Sequence, residues 1–461
     1  MRLRSPDRLF CLRGIAWLTL ALHVAAPWLQ EVWAWGAWPA TYLPLLWRWG
    51  LAALAVLVGW PSVARWIIAG LDRLLARLPG RPLPLWLGLG SLIPFWLFRL
   101  VHTRWGDAYL LSQAIAHPEA RLTYNWQAPL TVFLHARLWA FGARWWGWAD
   151  AAPAYALTST LAGGLFVYVL ARLARDLADA QGDRLAAIVP FGLVATLGSL
   201  QLFFGYVENY SLMTLGMLVY LWLAWRCLAE EVALIWPATA LAITHALHPS
   251  TIVLAPSLLY LGWEWARQEE QHRRARALVQ IALPMLVVGG GVVALMTAGG
   301  HGVSYLFGSD RPGGGDGRWL VPLWATTTRW EHYTMFSWGH LIDMVNQQLL
   351  VAPVVLLALL CLLVKAGPAA RAWTPWARLL LLASGCYLLF IWTWNPDYGG
   401  QRDWDLFAPA AVPLALLLAD RLRSAFSERE QWAMAVLALT AAQAAHTAAW
   451  IYQNTRPWSW P

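Results

Sequence analysis

The chain has 461 residues and a formal net charge of +8, with 59% hydrophobic and only 13% charged residues and a mean hydropathy of +0.48. That charged share is about half that of a soluble domain, and several apolar runs approach the roughly 20 residues needed to cross a bilayer, so a soluble enzyme is excluded. Nucleic-acid binding is excluded as well, because the basic residues lie in short loops between apolar runs, which is the pattern of membrane topology.

Arg2, Arg4, Arg8 and Arg13 precede a first apolar run that ends in Trp28, Trp33 and Trp35 with no small-residue cleavage site. It reads as an uncleaved span. In all, about thirteen spans are expected from hydropathy. They fall near residues 12–34, 43–71, 83–101, 150–172, 186–204, 209–228, 232–246, 250–266, 277–297, 341–364, 376–394, 406–420 and 431–452. The pair around 232–266 is short and divided by His248-Pro249. With a cytoplasmic N-terminus, most basic residues fall inside, among them Arg73, Arg81, Arg175, Arg184, Arg273, Lys365, Arg371 and Arg429. This orientation follows the positive-inside rule, and the odd number of spans leaves the C-terminus outside. Cys11, Cys227, Cys361 and Cys386 lie in or beside spans without a Cys-x-x-Cys spacing, so neither a disulfide framework nor a zinc site is implied.

Two long loops, about 102–149 and 298–340, face outward. In the first, a helix is expected from Asp107 to Pro118. Standing before that helix, Asp107 is placed to act as an N-cap. A second helix, 128–145, carries Leu130, Leu134, Leu138, Phe141 and Trp145 on one face, with Thr131, His135 and Arg144 elsewhere. This reads as a helix lying in the membrane interface. The second loop holds Arg311-Pro312-Gly-Gly-Gly-Asp316-Gly-Arg318, a flexible connector; no Gly-Lys-Ser/Thr follows, so it is not a phosphate-binding P-loop.

Ionisable groups at membrane level are costly and usually functional. Here they gather at the outer ends of spans. Arg104, Asp107 and Tyr109 follow the third span, and Glu208-Asn209-Tyr210 turns between the fifth and sixth. His245 and His248 stand between the seventh and eighth; two histidines without a paired carboxylate are a weak metal signature. His340 and Asp343, one helical turn apart and so on one face, lead into the tenth. The run Asn395-Pro-Asp-Tyr-Gly-Gly-Gln-Arg402-Asp403-Trp-Asp405 joins the eleventh and twelfth. Such a surface suits sugar transfer from a polyprenyl-phosphate carrier. The acceptor hydroxyl needs a carboxylate base, the phosphate suits arginine, and the lipid phosphate already leaves well.

The stretches GDAYLLSQAI, APLTVFLHARLWAFGARWWGWADAAPAYALTSTLAGGL, FFGYVENYSLMTLGMLVYLWLA and ITHALHPS resemble the GT-C class of integral-membrane glycosyltransferases, a class that includes protein mannosyltransferases and aminoarabinose transferases. The resemblance covers roughly residues 83–300. It implies an all-α polytopic transmembrane helical bundle with interfacial helices in the first long outer loop. It also implies inverting transfer on the extracytoplasmic face of the plasma membrane, with Asp107 as base and Glu208 as the second acidic position. The substrate-binding set is then Arg104, Tyr109, Asn209, Tyr210, His245, His248, His340, Asp343, Arg402, Asp403 and Asp405. Some members bind a divalent metal through Asp-x-Asp at that second turn. This chain has Glu208-Asn209-Tyr210 there, so no metal ligand is assigned and a divalent metal stays an open option. The expected partners are a polyprenyl-phosphate-linked sugar, a lipid, glycan or protein acceptor, and membrane lipid, with no nucleic acid. Residues 1–82 read as an added transmembrane hairpin, 83–300 as the catalytic core, and 301–461 as the second outer loop with the C-terminal helices. The competing reading is a transporter or flippase of a lipid-linked sugar. Such proteins show repeats and midplane sites, whereas this chain shows no repeat and gathers its polar groups at one surface.

Overall fold

The computed structural model describes residues 5–78, 82–119, 121–267, 271–308, 317–364 and 373–458. The glycine-rich Arg311–Asp316 connector and the loop residues Arg2, Arg4, Arg81, Lys365 and Arg371 lie outside them. Among the described residues the protein is all-α, with one isolated bridge, Leu320 to Trp394, and no strand. It is a polytopic helical membrane protein.

Every expected span is helical, but the helices differ in kind. Six are single helices long and apolar enough to cross a bilayer: Asp7–Trp28, Ala152–Asp179, Tyr210–Leu228, Arg274–Ala298, Pro375–Thr393 and Arg429–Asn454. Two more are bent pairs, Leu45–Val58 with Pro61–Arg77 at 75° and Trp338–Val351 with Val355–Val364 at 105°. Proline explains both bends, since it lacks an N–H and drives the residue before it out of the helical region. Trp60, before Pro61, has ψ 135°, and Ala352, before Pro353, has φ −152°. The segment expected near 186–204 is divided into three short helical pieces, Arg184–Ala187, Ile188–Ala195 and Gly198–Phe203.

Small residues set the central packing, as they do where helix backbones meet in membranes. The Leu83–Leu97 helix lies against Ala152–Asp179 so closely that a Cβ on Gly88 would stand 2.8 Å from the Gly164 carbonyl oxygen. A Cβ on Gly163 would stand 2.6 Å from Phe203 Cβ. Phe95, Phe166, Phe203 and Phe204 fill the space beside them. This packing brings the end of the third expected span beside the turn at 204–209.

The Pro129–Trp146 helix turns Thr131 and His135 inward and leaves Arg137 and Arg144 exposed. Thr131 is buried and donates to the Leu247 carbonyl at 2.8 Å, and buried His135 stacks on Tyr155 at 3.7 Å. Leu134, Phe141 and Trp145 are exposed on the other side, as an interfacial helix requires. It ends at Gly147, which takes φ +68° as helix C-caps commonly do.

Candidate active site

Residues 98–107 run as irregular chain held at three points. The Leu100 N–H donates to the Phe204 carbonyl at 2.7 Å and the Val101 N–H to the Asn454 carbonyl at 3.1 Å. Trp105 is buried, and its indole N–H donates to Asn454 Oδ1 at 2.7 Å. Gly106 then takes φ +49°, a conformation glycine adopts without steric cost. Its bare Cα is also needed for space, because a Cβ there would lie 2.6 Å from Glu208 Oε1 and 3.1 Å from Asp405 Oδ2.

Asp107 follows and opens the Ala108–Ala116 helix. It occupies the N-cap position, yet its side chain makes no capping hydrogen bond. Its carboxylate belongs instead to Tyr398, whose hydroxyl donates to Oδ1 at 2.8 Å. Glu208, directly behind, binds the backbone: Oε1 accepts the Asp107 N–H at 2.5 Å and Oε2 the Asn209 N–H at 3.0 Å. Buried Asp405 accepts from the Tyr206 hydroxyl at 2.8 Å and the Leu406 N–H at 3.0 Å. Asp403 accepts the Tyr398 N–H at 2.8 Å. Arg402 lies over the Tyr398 ring at 4.4 Å and donates to the Gly106 carbonyl at 3.3 Å, while the Gly106 N–H returns a bond to the Arg402 carbonyl.

Four carboxyl groups thus converge near Gly106, and their environment raises their proton affinity. Burial pushes Asp107 above the usual aspartate range, against the Tyr398 hydrogen bond and the Arg402 charge, which favour its anion. Burial, with the charges of Asp405 and Asp107, holds Glu208 well above the glutamate range. Asp403 is likewise held well above its usual range by burial and by its acidic neighbours. Burial pushes Asp405 up to about 7. Like charges held this close resist ionising together.

In front of Asp107 lies a cavity of about 600 Å³. Its polar wall includes Asp107, Gln127, Tyr210, His248, Ser250, Tyr398 and Asp403. Its apolar wall is made by Ile252, Val253, Leu320, Phe390, Trp394 and Leu406, where the Pro249–Leu254 turn meets the outer end of the Pro375–Thr393 helix. Ile252 and Leu320 are each 61% exposed, so this apolar wall opens onto the surface of the protein. A slightly larger cavity of about 700 Å³ lies at the opposite end of the bundle, between Leu71, Leu83, Arg175 and Phe191, and holds no carboxylate cluster.

Of the residues expected from the sequence, Asp107, Tyr210, His248 and Asp403 line the cavity. Glu208, Asn209 and Asp405 stand behind it, Asn209 accepting from the Tyr155 hydroxyl at 3.1 Å. Arg402 holds the loop from behind Tyr398 rather than forming the wall. Arg104 is not in the cavity: its guanidinium is sandwiched between Trp105 and Trp458, 4.7 and 3.5 Å from their ring centroids. Tyr109 sits with Leu110 on the exposed side of its short helix, while Ala108, Leu111 and Ile115 take the inner face. His245 bonds Thr251 Oγ1 at 2.7 Å, and His340 stacks on Tyr333 at 4.5 Å; neither reaches the cavity. Asp343 is also outside it, accepting from Trp35, Tyr333 and the Gly400 N–H. Among the described residues no group of three or more His, Cys, Asp or Glu is arranged to hold a metal ion. The carboxylates near Gly106 are instead engaged by hydroxyl and N–H donors.

Sequence reasoning passed over Tyr398, Gln127 and Ser250. Tyr398 carries no local signal, since tyrosine is common wherever a span meets water. Only its place within the Asn395–Asp405 run marks it.

The helical bundle, with irregular chain leading to Asp107 and a cavity in front of it, has a counterpart of the same fold among solved structures. Among solved structures it is similar to ArnT from Cupriavidus metallidurans, crystallised bound to undecaprenyl phosphate. The TM-score is 0.51 at 10% sequence identity, over 81% of this chain and 77% of that one. No protein-family model and no curated protein matches the chain.

Proposed function

We propose that the protein is an inverting glycosyltransferase that moves a sugar from a polyprenyl-phosphate carrier to a hydroxyl acceptor on the extracytoplasmic face of the membrane. The observation that carries this reading is the position of Asp107, at the polar end of a cavity whose other wall is apolar and opens onto the surface of the protein. In ArnT the same fold was crystallised with undecaprenyl phosphate, and a polyprenyl tail suits the wall formed by Ile252, Val253, Leu320 and Phe390.

In the proposed reaction Tyr398 engages Oδ1 of Asp107 and leaves Oδ2 for the acceptor. Asp107 takes the proton of the acceptor hydroxyl as its oxygen attacks the anomeric carbon. The bond from that carbon to the phosphate oxygen breaks on the opposite face, which inverts the configuration, and polyprenyl phosphate departs with the electron pair. Gln127, Ser250, Tyr210 and His248 supply neutral polar groups to the phosphate and sugar, and Arg402 supplies positive charge from behind Tyr398. Glu208 fixes the backbone N–H of Asp107 and so the direction of the base.

Asp107→Asn tests this. The amide keeps the size of the side chain but cannot accept the proton, and general-base catalysis contributes roughly 10²–10⁴-fold. Transfer from a polyprenyl-phosphate sugar by the purified variant is expected to fall by that order. Wild-type-like turnover by Asp107→Asn would remove the base from the proposal.

A further inference from the structure

The N-terminal hairpin touches the segment that holds Asp107, and Asp343 is where they meet. Asp343 lies outside the cavity and is largely buried. Its Oδ1 accepts the indole N–H of Trp35, from the outer turn of the hairpin, at 3.0 Å. Its Oδ2 accepts the Tyr333 hydroxyl and the Gly400 N–H, each at 3.0 Å. Gly400 has no room for a side chain, because a Cβ there would overlap Asp343 Oδ2. Two residues before Gly400 is Tyr398, the hydrogen-bond donor to Asp107. Two residues after it is Arg402, bonded to Gly106.

A second set of contacts fixes the same junction. Gln401 donates to Glu31 Oε1 at 2.9 Å. Asn346, one helical turn beyond Asp343, accepts the Gly36 N–H at 2.9 Å and donates to the Trp33 carbonyl at 3.0 Å. The turn at 31–36 is therefore tied both to the Trp338–Val351 helix and to the 398–402 loop. Hydrogen bonds to an ionised group are about twice as strong as neutral ones, and a carboxylate receiving three donors from three separate segments is a rigid junction.

We infer that the outer turn of the N-terminal hairpin is a working part of the site, with Asp343 as the positioning residue that transmits its hold through Gly400 to Tyr398 and Arg402. The inference deepens the reaction proposed above and rests on it for its catalytic consequence, but the mechanical coupling stands independently.

Two variants of the full-length protein test it. Trp35→Phe removes the N–H with the five-membered half of the indole but keeps an aromatic side chain; Asp343→Ala removes the junction. By hydrogen-exchange mass spectrometry in lipid nanodiscs, peptides covering residues 397–406 are expected to exchange severalfold faster in both, with peptides from Ala152–Asp179 unchanged. In the transfer assay kcat is expected to fall roughly tenfold with KM for the donor within about twofold, the sign of a misplaced base rather than lost binding. Asp343→Asn, which retains one acceptor oxygen, is expected to recover part of the rate. Unchanged exchange at 397–406 in Trp35→Phe overturns the inference, and this variant keeps an aromatic side chain at position 35 if Asp343→Ala does not fold. The exchange result decides the matter even if the wild type transfers no sugar, an outcome that sinks the reaction alone.

Discussion

Asp107 is pulled in two directions. Burial opposes its charge, while the Tyr398 hydroxyl and the Arg402 guanidinium support it. A base must be anionic to accept a proton, so activity is expected to rise with pH as Asp107 ionises, with the acidic limb of kcat/KM above the ordinary aspartate range. Tyr398→Phe sharpens the test. It removes a hydrogen bond made to the anion, so the anion is less stable and the proton is held more tightly. The limb is expected to move to higher pH, with the plateau rate reduced less than in Asp107→Asn. A limb that stays put or moves down would show that Tyr398 does not serve the ionised base. Part of this site was legible beforehand. Asp107 stood out because a carboxylate at the end of an apolar run is rare. Its capping role was a fair local inference, but the tyrosine that claims the carboxylate lies 291 positions away in the chain. Local spacing carries no trace of such a partner.

At the scale of helices, most of the fold was legible because apolar runs report spans directly. What hydropathy does not report is direction. The bend at Trp60-Pro61 and the turn at Ala352-Pro353 convert two expected spans into angled pairs. The second bend follows directly on the helix that carries Asp343 and Asn346. Arg104 shows the same limit at a helix end: its charge looked available, but two tryptophans, one of them from the C-terminal segment, enclose it. Glycine positions are also silent in a hydropathy profile, although Gly88, Gly163 and Gly164 decide how closely the Leu83–Leu97 helix approaches its neighbour. Gly163→Leu must push Phe203 away and is expected to cost about 1–3 kcal/mol, the usual penalty for overpacking. Its thermal unfolding midpoint in detergent is expected to fall, whereas Gly90→Leu on the facing Leu83–Leu97 helix, with nothing within 4 Å of its Cβ position, is expected to leave it unchanged. Equal midpoints for the two variants would mean that the close helix contact does not form.

Across the whole molecule the two ends of the bundle differ in charge. At one end Arg429 binds Asp72 through two 2.7 Å bonds and Asp183 through bonds of 2.9 and 3.1 Å, joining the N-terminal hairpin, the core and the last helix. Arg175, Arg184 and Arg423 lie nearby, Arg175 and Arg423 close to the ends of their helices, at the end of the bundle that the positive-inside rule assigns to the cytoplasm. The Ala152–Asp179 helix runs from the other end to this one. It starts beside the Asp107 helix, where the Ala151 N–H bonds the Ser112 carbonyl, and it ends at Asp179 beside Arg175. One helix therefore measures the span between the carboxylate cavity and the basic face, and the proposed orientation puts the cavity outside. Single-cysteine labelling in a background with Cys11, Cys227, Cys361 and Cys386 replaced checks this. Tyr109→Cys, at a position 62% exposed beside the cavity, is expected to react with a membrane-impermeant maleimide in intact cells. Gln181→Cys, in the exposed turn after Asp179, is expected to react only after permeabilisation. The reverse pattern would place Asp107 in the cytoplasm and overturn the proposed extracytoplasmic transfer, while leaving the fold and the geometry around Gly106 as they are.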